Sequence, residues 1–167
     1  MGAVRGLAEI VLNARDLDAM TRFYVEVMGF RPHSRYPSDR PTIVFLEIAP
    51  LGAPLGRTHP QLLALIDPAR HISAKDKFDQ PEQRRSALNH LAFMIEEADY
   101  EGEFQRLEAL GLGPVKGSFE HMRAKAIFFR DPEGNRLELI CHDRSISEAQ
   151  AQEAAARLDE DLRPSGE

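Results

Sequence analysis

Leu88-Asn89-His90-Leu91-Ala92-Phe93-Met94-Ile95 and Asp131-Pro132-Glu133-Gly134-Asn135-Arg136-Leu137-Glu138-Leu139-Ile140 are the two stretches that decide the fold. Side chains alternate between faces along an extended strand, so His90 shares a face with Ala92 and Met94 while Leu91, Phe93 and Ile95 take the other. The second stretch has the same form after its turn: Leu137 and Leu139 on one face, Glu138, Ile140 and His142 on the opposite one. Two strands thus pair a greasy face with a face that seats ionisable groups. If both lie in one sheet with the greasy faces against a helix, His90 and Glu138 project from the same open face, as a metal or acid/base site requires.

The residues between and before these strands repeat one pattern. Leu7 to Ala14 reads as a strand with Ile10, Leu12 and Ala14 opposed to Glu9, Val11 and Asn13. Asp16 offers a helix cap, and Met20, Phe23, Tyr24, Val27 and Met28 recur at helical spacing until Gly29. Extended chain at Phe30-Arg31-Pro32, a β-rich run from Thr42 to Ile48, a Pro/Gly loop from Ala49 to Pro60 and a strand from Gln61 to Ile66 complete a β-α-β-β-β unit. In the second half a strand from Leu88 to Ile95 precedes a helix from Ala98 to Leu110, ended by Gly111. Strands follow at Val115–Phe119, Lys125–Phe129 and Arg136–His142, the last two joined by a turn of suitable composition. Glu9 to Gly29 spans 20 residues and His90 to Gly111 spans 21, so the halves superpose with Glu9 opposite His90; laying Leu62–Ile66 on Arg136–Ile140 puts Ala64 opposite Glu138, the first half being longer by about seven residues, which the Ala49–Pro60 loop absorbs.

Residues 1–67 are therefore expected to form a first module, 68–86 a charged linker with two prolines, and 87–143 a second module. The segment 144–167 should hold a helix over Ser147–Leu162 and a tail. Ser147-x-x-Gln150 has the spacing of a capping box, and the thin apolar stripe of that helix suits a surface or subunit contact.

Composition narrows the function. A net charge of −6 is a poor match for phosphate backbones, and Arg84-Arg85 is too short a basic run to reverse it, so no nucleic-acid partner is expected. No apolar run approaches the roughly 20 residues that span a bilayer, and no leader pattern opens the chain. No membrane partner and a cytoplasmic location follow as expectations. Cys141 is the single cysteine, placed by alternation on the packed face, where a thiol is inert.

The tandem β-α-β-β-β repeat, the Asn89-His90-Leu91-Ala92-Phe93 strand and the closing Asp131-Pro132-x-Gly134-Asn135-x-x-Glu138-Leu139 motif together resemble the vicinal oxygen chelate superfamily. Glyoxalase I, extradiol dioxygenases, fosfomycin-resistance transferases, methylmalonyl-CoA epimerase and the bleomycin-resistance proteins belong to it. The resemblance covers residues 5 to 143. It implies an α+β fold in which tandem βαβββ modules form a curled, cup-shaped mixed sheet with helices outside, here followed by a C-terminal helix.

It also implies a divalent metal held at positions that fall on Glu9, Ala64, His90 and Glu138. Ala64 has no donor, so the four-residue glyoxalase I set is unavailable and Glu9, His90 and Glu138 remain as a three-ligand set. Two carboxylates and an imidazole suit Fe(II) or Mn(II), with Ni(II), Mg(II) and Zn(II) as further candidates. The position of the extradiol enzymes' hydrogen-bonding tyrosine falls near Phe128, which cannot hydrogen-bond.

Proton-handling candidates are His121, in Phe119-Glu120-His121-Met122-Arg123, and His142, while Asn13, Met94, Phe128 and Ile140 are expected to line the cavity. The implied function is a metal-dependent enzyme, dioxygenase-like in its most specific form, acting on a small substrate that chelates through oxygen. The alternatives are a metal-free protein that sequesters a small molecule, as bleomycin-resistance proteins do, and an isomerase or epimerase. A homodimer through edge strands or the last helix is the assembly this pattern allows.

Overall fold

The computed structural model describes residues 8–49, 60–71 and 89–161. The expected start of the first strand at Leu7, most of the loop before Pro60, most of the linker, Leu88 and the last six residues lie outside them. The chain divides into two compact units, the first running to Ala87 and the second from Leu88.

In the first unit, β1 (Glu9–Asn13) is followed by α1 (Leu17–Arg22), β2 (Arg31–Tyr36), β3 (Ile43–Ala49) and β4 (Gln61–Ile66). The sheet order is β1-β4-β3-β2, with β1 parallel to β4 and the remaining pairs antiparallel. The parallel pair is what the intervening helix makes necessary, because parallel strands need a crossover. Asp16 caps α1 by accepting from the Ala19 amide at 2.9 Å. The helical run does not stay regular to its end: Phe23–Val27 forms a wide π-type turn, closed by the Met28 amide on the Phe23 carbonyl at 3.2 Å. Gly29 then reverses the chain at φ +72°. Along β1, Leu12 is buried, whereas Glu9, Val11 and Asn13 are exposed, as strand alternation predicts.

The second unit repeats this plan. It comprises β5 (Leu91–Met94), a 3₁₀ turn at Glu97–Asp99 leading into α2 (Tyr100–Ala109), β6 (Val115–Phe119), β7 (Ala124–Arg130) and β8 (Arg136–His142). The order β5-β8-β7-β6 matches the first sheet strand for strand. Register makes the correspondence exact at the positions that matter. Val11 pairs with Ala64 in the first unit and Ala92 with Glu138 in the second, so Glu9 and His90, each two residues earlier, occupy equivalent places.

One face of the second sheet packs under α2. Leu107, Ile127, Phe129, Leu137, Leu139 and Cys141 are all buried there, and the Tyr100 hydroxyl donates to the Ala126 carbonyl at 3.0 Å. Burial pushes both the Tyr100 hydroxyl and the Cys141 thiol above their ordinary pKa ranges. Cys141 is a packing residue.

After β8, the Asp143 carboxyl is held below the usual range, chiefly by the Ser145 hydroxyl donating to it at 2.6 Å. The chain then enters α3 (Glu148–Asp161). The capping box forms as its spacing predicts: the Ser147 amide donates to Gln150 Oε1 at 2.9 Å and the Gln150 amide to Ser147 Oγ at 3.3 Å. α3 lies against the short turn Glu120–Met122, with Ala151 buried. Among the described residues no helix is long and apolar enough to cross a membrane.

Candidate functional site

The open face of the second sheet can be built residue by residue from its register. Phe128 stands opposite Glu138, Ala126 opposite Ile140, Val115 opposite Phe128 and Ala92 beside Glu138. Small residues at Ala92, Gly117 and Ala126 leave room between the larger ones. The result is a recess of about 460 Å³ bordered by His90, Phe119, Met122, Phe128, Arg136, Glu138 and Ile140, together with Asn89 and Ala92.

His90 stands immediately before β5, and its side chain borders the recess. Its Nε2 lies 2.9 Å from Glu138 Oε2, and its Nδ1 lies 2.8 Å from Asn89 Oδ1. An amide oxygen can only accept, so this contact makes Nδ1 the donor and aims Nε2 at the carboxylate. Glu138 is nearly enclosed, with its side chain 5% exposed, while that of His90 is 37% exposed. Within this unit no third His, Cys, Asp or Glu among the described residues joins the pair closely enough to hold an ion.

Phe128 forms the floor. The His90 and Phe119 rings meet it edge-on at 6.4 and 6.2 Å, and the Arg136 guanidinium lies over its face at 4.6 Å. This packing needs a glycine in the next strand: a methyl group at Gly117 would fall 2.8 Å from Phe128 Cε2. Gly117→Ala is therefore expected to cost about 1–2 kcal/mol in urea unfolding, the range for overpacking. It should also shrink the recess by displacing the ring. An unchanged unfolding midpoint would show that the ring yields freely.

The candidates named from sequence fall in different places. His90, Glu138, Phe128 and Ile140 border one recess. Met94 follows them on the strand face but is 88% exposed and does not border it. His142 stands exposed at the end of β8. His121, in the turn before β7, contacts the Phe119 ring and borders a separate hollow of about 290 Å³ against α3, with Arg157 and Leu158. Glu9 and Asn13 are exposed on β1 of the first unit. Sequence reading missed Asn89, Gly117 and Arg136. Asn89 was legible as a hydrogen-bonding neighbour of a candidate ligand, but the other two matter only through contacts with Phe128 that register creates.

Solved structures with this architecture include the lactoylglutathione lyase of Agrobacterium tumefaciens, 26% identical, with a TM-score of 0.57 over 83% of this chain and 94% of that one. The fosfomycin resistance protein FosX of Mesorhizobium loti is 23% identical at a TM-score of 0.54, over 85% of this chain and 96% of its own. FosX of Listeria monocytogenes is 17% identical at a TM-score of 0.58, over 89% and 98%. The two FosX likenesses speak to the fold. Because a sequence model of the family matches residues 6–139, from before the first strand of the first unit into the closing strand of the second, the chain belongs to the glyoxalase/bleomycin resistance protein/dioxygenase superfamily.

Proposed function

We propose that the protein is a divalent-metal-dependent enzyme acting on a small substrate that binds through one or two oxygens, with Glu9, His90 and Glu138 as protein ligands. The observation that carries the reading is the His90–Glu138 pair. Nε2 and Oε2 stand 2.9 Å apart at one recess, and an imidazole nitrogen beside a carboxylate oxygen is a donor set that would hold a divalent ion. Asn89 engages the other ring nitrogen, as outer partners of ligating histidines do.

Glu9 is assigned by the repeat, as the first-unit counterpart of His90 on the exposed face of β1. The counterpart of Glu138 is Ala64, which has no donor, so three ligands rather than four are available. The N,O donor set suits Fe(II) or Mn(II). Such an ion supplies Lewis acidity and a template for substrate oxygens, and a dioxygenase would use the positions left open for substrate and dioxygen. The alternative chemistry within this reading is an isomerase or epimerase with Glu9 or Glu138 as base. For proton transfer we rank His142, on the cavity face of β8, ahead of His121, which borders the hollow beside α3.

Elemental analysis of protein purified without chelator tests the reading. About one Mn or Fe per chain is expected, lost in Glu9→Ala, His90→Ala and Glu138→Ala. Metal-free protein that resists reloading yet binds aromatic ligands would establish sequestration instead. Loss in the His90 and Glu138 variants but not in Glu9→Ala would remove Glu9 from the site.

A further inference from the structure

Arg136 opens β8 on the same face as Glu138 and borders the same recess. Among the described residues of the second unit it is the one arginine whose guanidinium has no acceptor. Arg106 pairs with Glu103, Arg144 with Glu97 and Arg157 with Glu120. Arg123 donates to the Ile146 carbonyl and Arg130 to the Gly134 carbonyl. Arg136 has instead only the face of Phe128, 4.6 Å from its guanidinium carbon. The nearest acid along its own strand face, Glu138, is taken by His90.

A guanidinium held over an aromatic face by a cation–π contact spends none of its N–H donors on that contact. The ring also restricts the side chain, so less rotamer freedom remains to be lost when a ligand arrives. Guanidinium donors at a recess that also presents Phe119, Met122, Phe128 and Ile140 match an oxyanion with two oxygens and an apolar body.

We propose that Arg136 is the anion-recognition group of this cavity and that the substrate is an amphipathic organic oxyanion. Its carboxylate, phosphonate or phosphate group pairs with Arg136, and its apolar body lies along Phe128, Met122 and Ile140. Its remaining polar end reaches the His90–Glu138 pair. Arg136 and Glu138 are same-face neighbours on β8, so the anionic group and the polar end meet two different residues of one strand. The proposal rests on the reading of this recess as the substrate site, but not on the presence of a metal.

Calorimetric titration of the full chain with 4-phenylbutyrate, 3-phenylpropylphosphonate and the neutral 4-phenylbutanamide tests it, using the parent, Arg136→Gln and Arg136→Lys. The parent should bind at least one anion about tenfold or more tightly than the amide, as a charge-assisted contact implies. Arg136→Gln should bring anion and amide within about twofold while leaving amide affinity unchanged, and Arg136→Lys should keep part of the preference, since a point charge lacks the fork. Whichever anion loses more identifies the head group. No preference in the parent, a preference that survives Arg136→Gln, or equal weakening of all three probes would overturn the proposal, the last by reducing Arg136 to a packing residue over Phe128.

A Mn(II) titration run alongside separates the two claims. An Arg136-dependent preference without Mn(II) binding overturns only the metal reading, and Mn(II) binding without that preference overturns only this one.

Discussion

Glu138→Gln is expected to leave the metal-free protein at least as stable as the parent while weakening Mn(II) binding by about 100-fold or more. His90→Ala, by contrast, should lose metal affinity and stability together. The difference follows from burial. The Glu138 side chain is 5% exposed, beside Phe128, Ile140 and Ala92, and taking a carboxylate out of water costs several kcal/mol. Its partner is 37% exposed, so solvent screens the attraction that offsets this cost. Glutamine keeps the shape, can still hydrogen-bond His90 and carries no charge to desolvate.

Removing the imidazole does the opposite and strands an enclosed carboxylate. Breaking a fully buried pair costs about 3–5 kcal/mol, and with one partner partly exposed the expected loss falls to about 1–2 kcal/mol. Urea unfolding of chelator-treated proteins reads the stability arm. For the metal arm, Mn(II) at 100 times its Kd should add about 2.7 kcal/mol to the parent and far less to either variant. A Glu138→Gln protein that unfolds more readily yet binds Mn(II) normally would make the carboxylate a structural group and remove the reason for its burial.

Strand alternation is local, so the face shared by Glu138, Ile140 and His142 could be read from spacing alone. The repeat extended that reading: counting from Glu9 and His90 to the glycines that end each helical run placed Glu9 opposite His90, superposing the last strands placed Ala64 opposite Glu138, and the strand registers agree. The locations of His121 and Met94 were not legible in the same way. His121 is set by the turn at Glu120–Met122, which ends on Arg123 in the left-handed region at φ 51°, and by the return of α3 against that turn. A count of residues along one strand contains neither. The π-type turn at Phe23–Val27 is similarly hidden, because Phe23 and Tyr24 satisfy a regular helical period equally well. Arg136 looked like an ordinary polar residue at the start of a strand until register put Phe128 under its guanidinium.

Asp131→Ala is expected to destabilise the protein by about 2–3 kcal/mol and to abolish Mn(II) binding without touching a proposed ligand. Asp131 is 5% exposed and organises the whole turn between β7 and β8. Its Oδ1 accepts from the Glu133 and Asn135 amides at 3.0 and 2.9 Å, and its Oδ2 from Asn135 Nδ2 at 2.7 Å. Backbone bonds from Asp131 to the Asn135 carbonyl, 3.1 Å, and from Gly134 to the Asp131 carbonyl, 3.0 Å, close it, with Gly134 at φ +85°. Alanine leaves two backbone donors and a side-chain amide without their acceptor, each lost bond costing about 1 kcal/mol.

The functional consequence comes through register. The turn sets Phe128 opposite Glu138, and a slip of one residue would carry Glu138 to the face beneath α2 and bring Leu137 or Leu139 into the recess. Asp131→Asn retains the Oδ1 acceptor for both amides, so it should lose about 1 kcal/mol and keep most of the metal affinity. Urea unfolding and Mn(II) titration of the two variants, side by side, distinguish a turn that fixes the register from one that merely connects two strands. If Asp131→Ala unfolds within about 0.5 kcal/mol of the parent, the register is held by the sheet itself, through the paired core of Ile127, Phe129, Leu137 and Leu139.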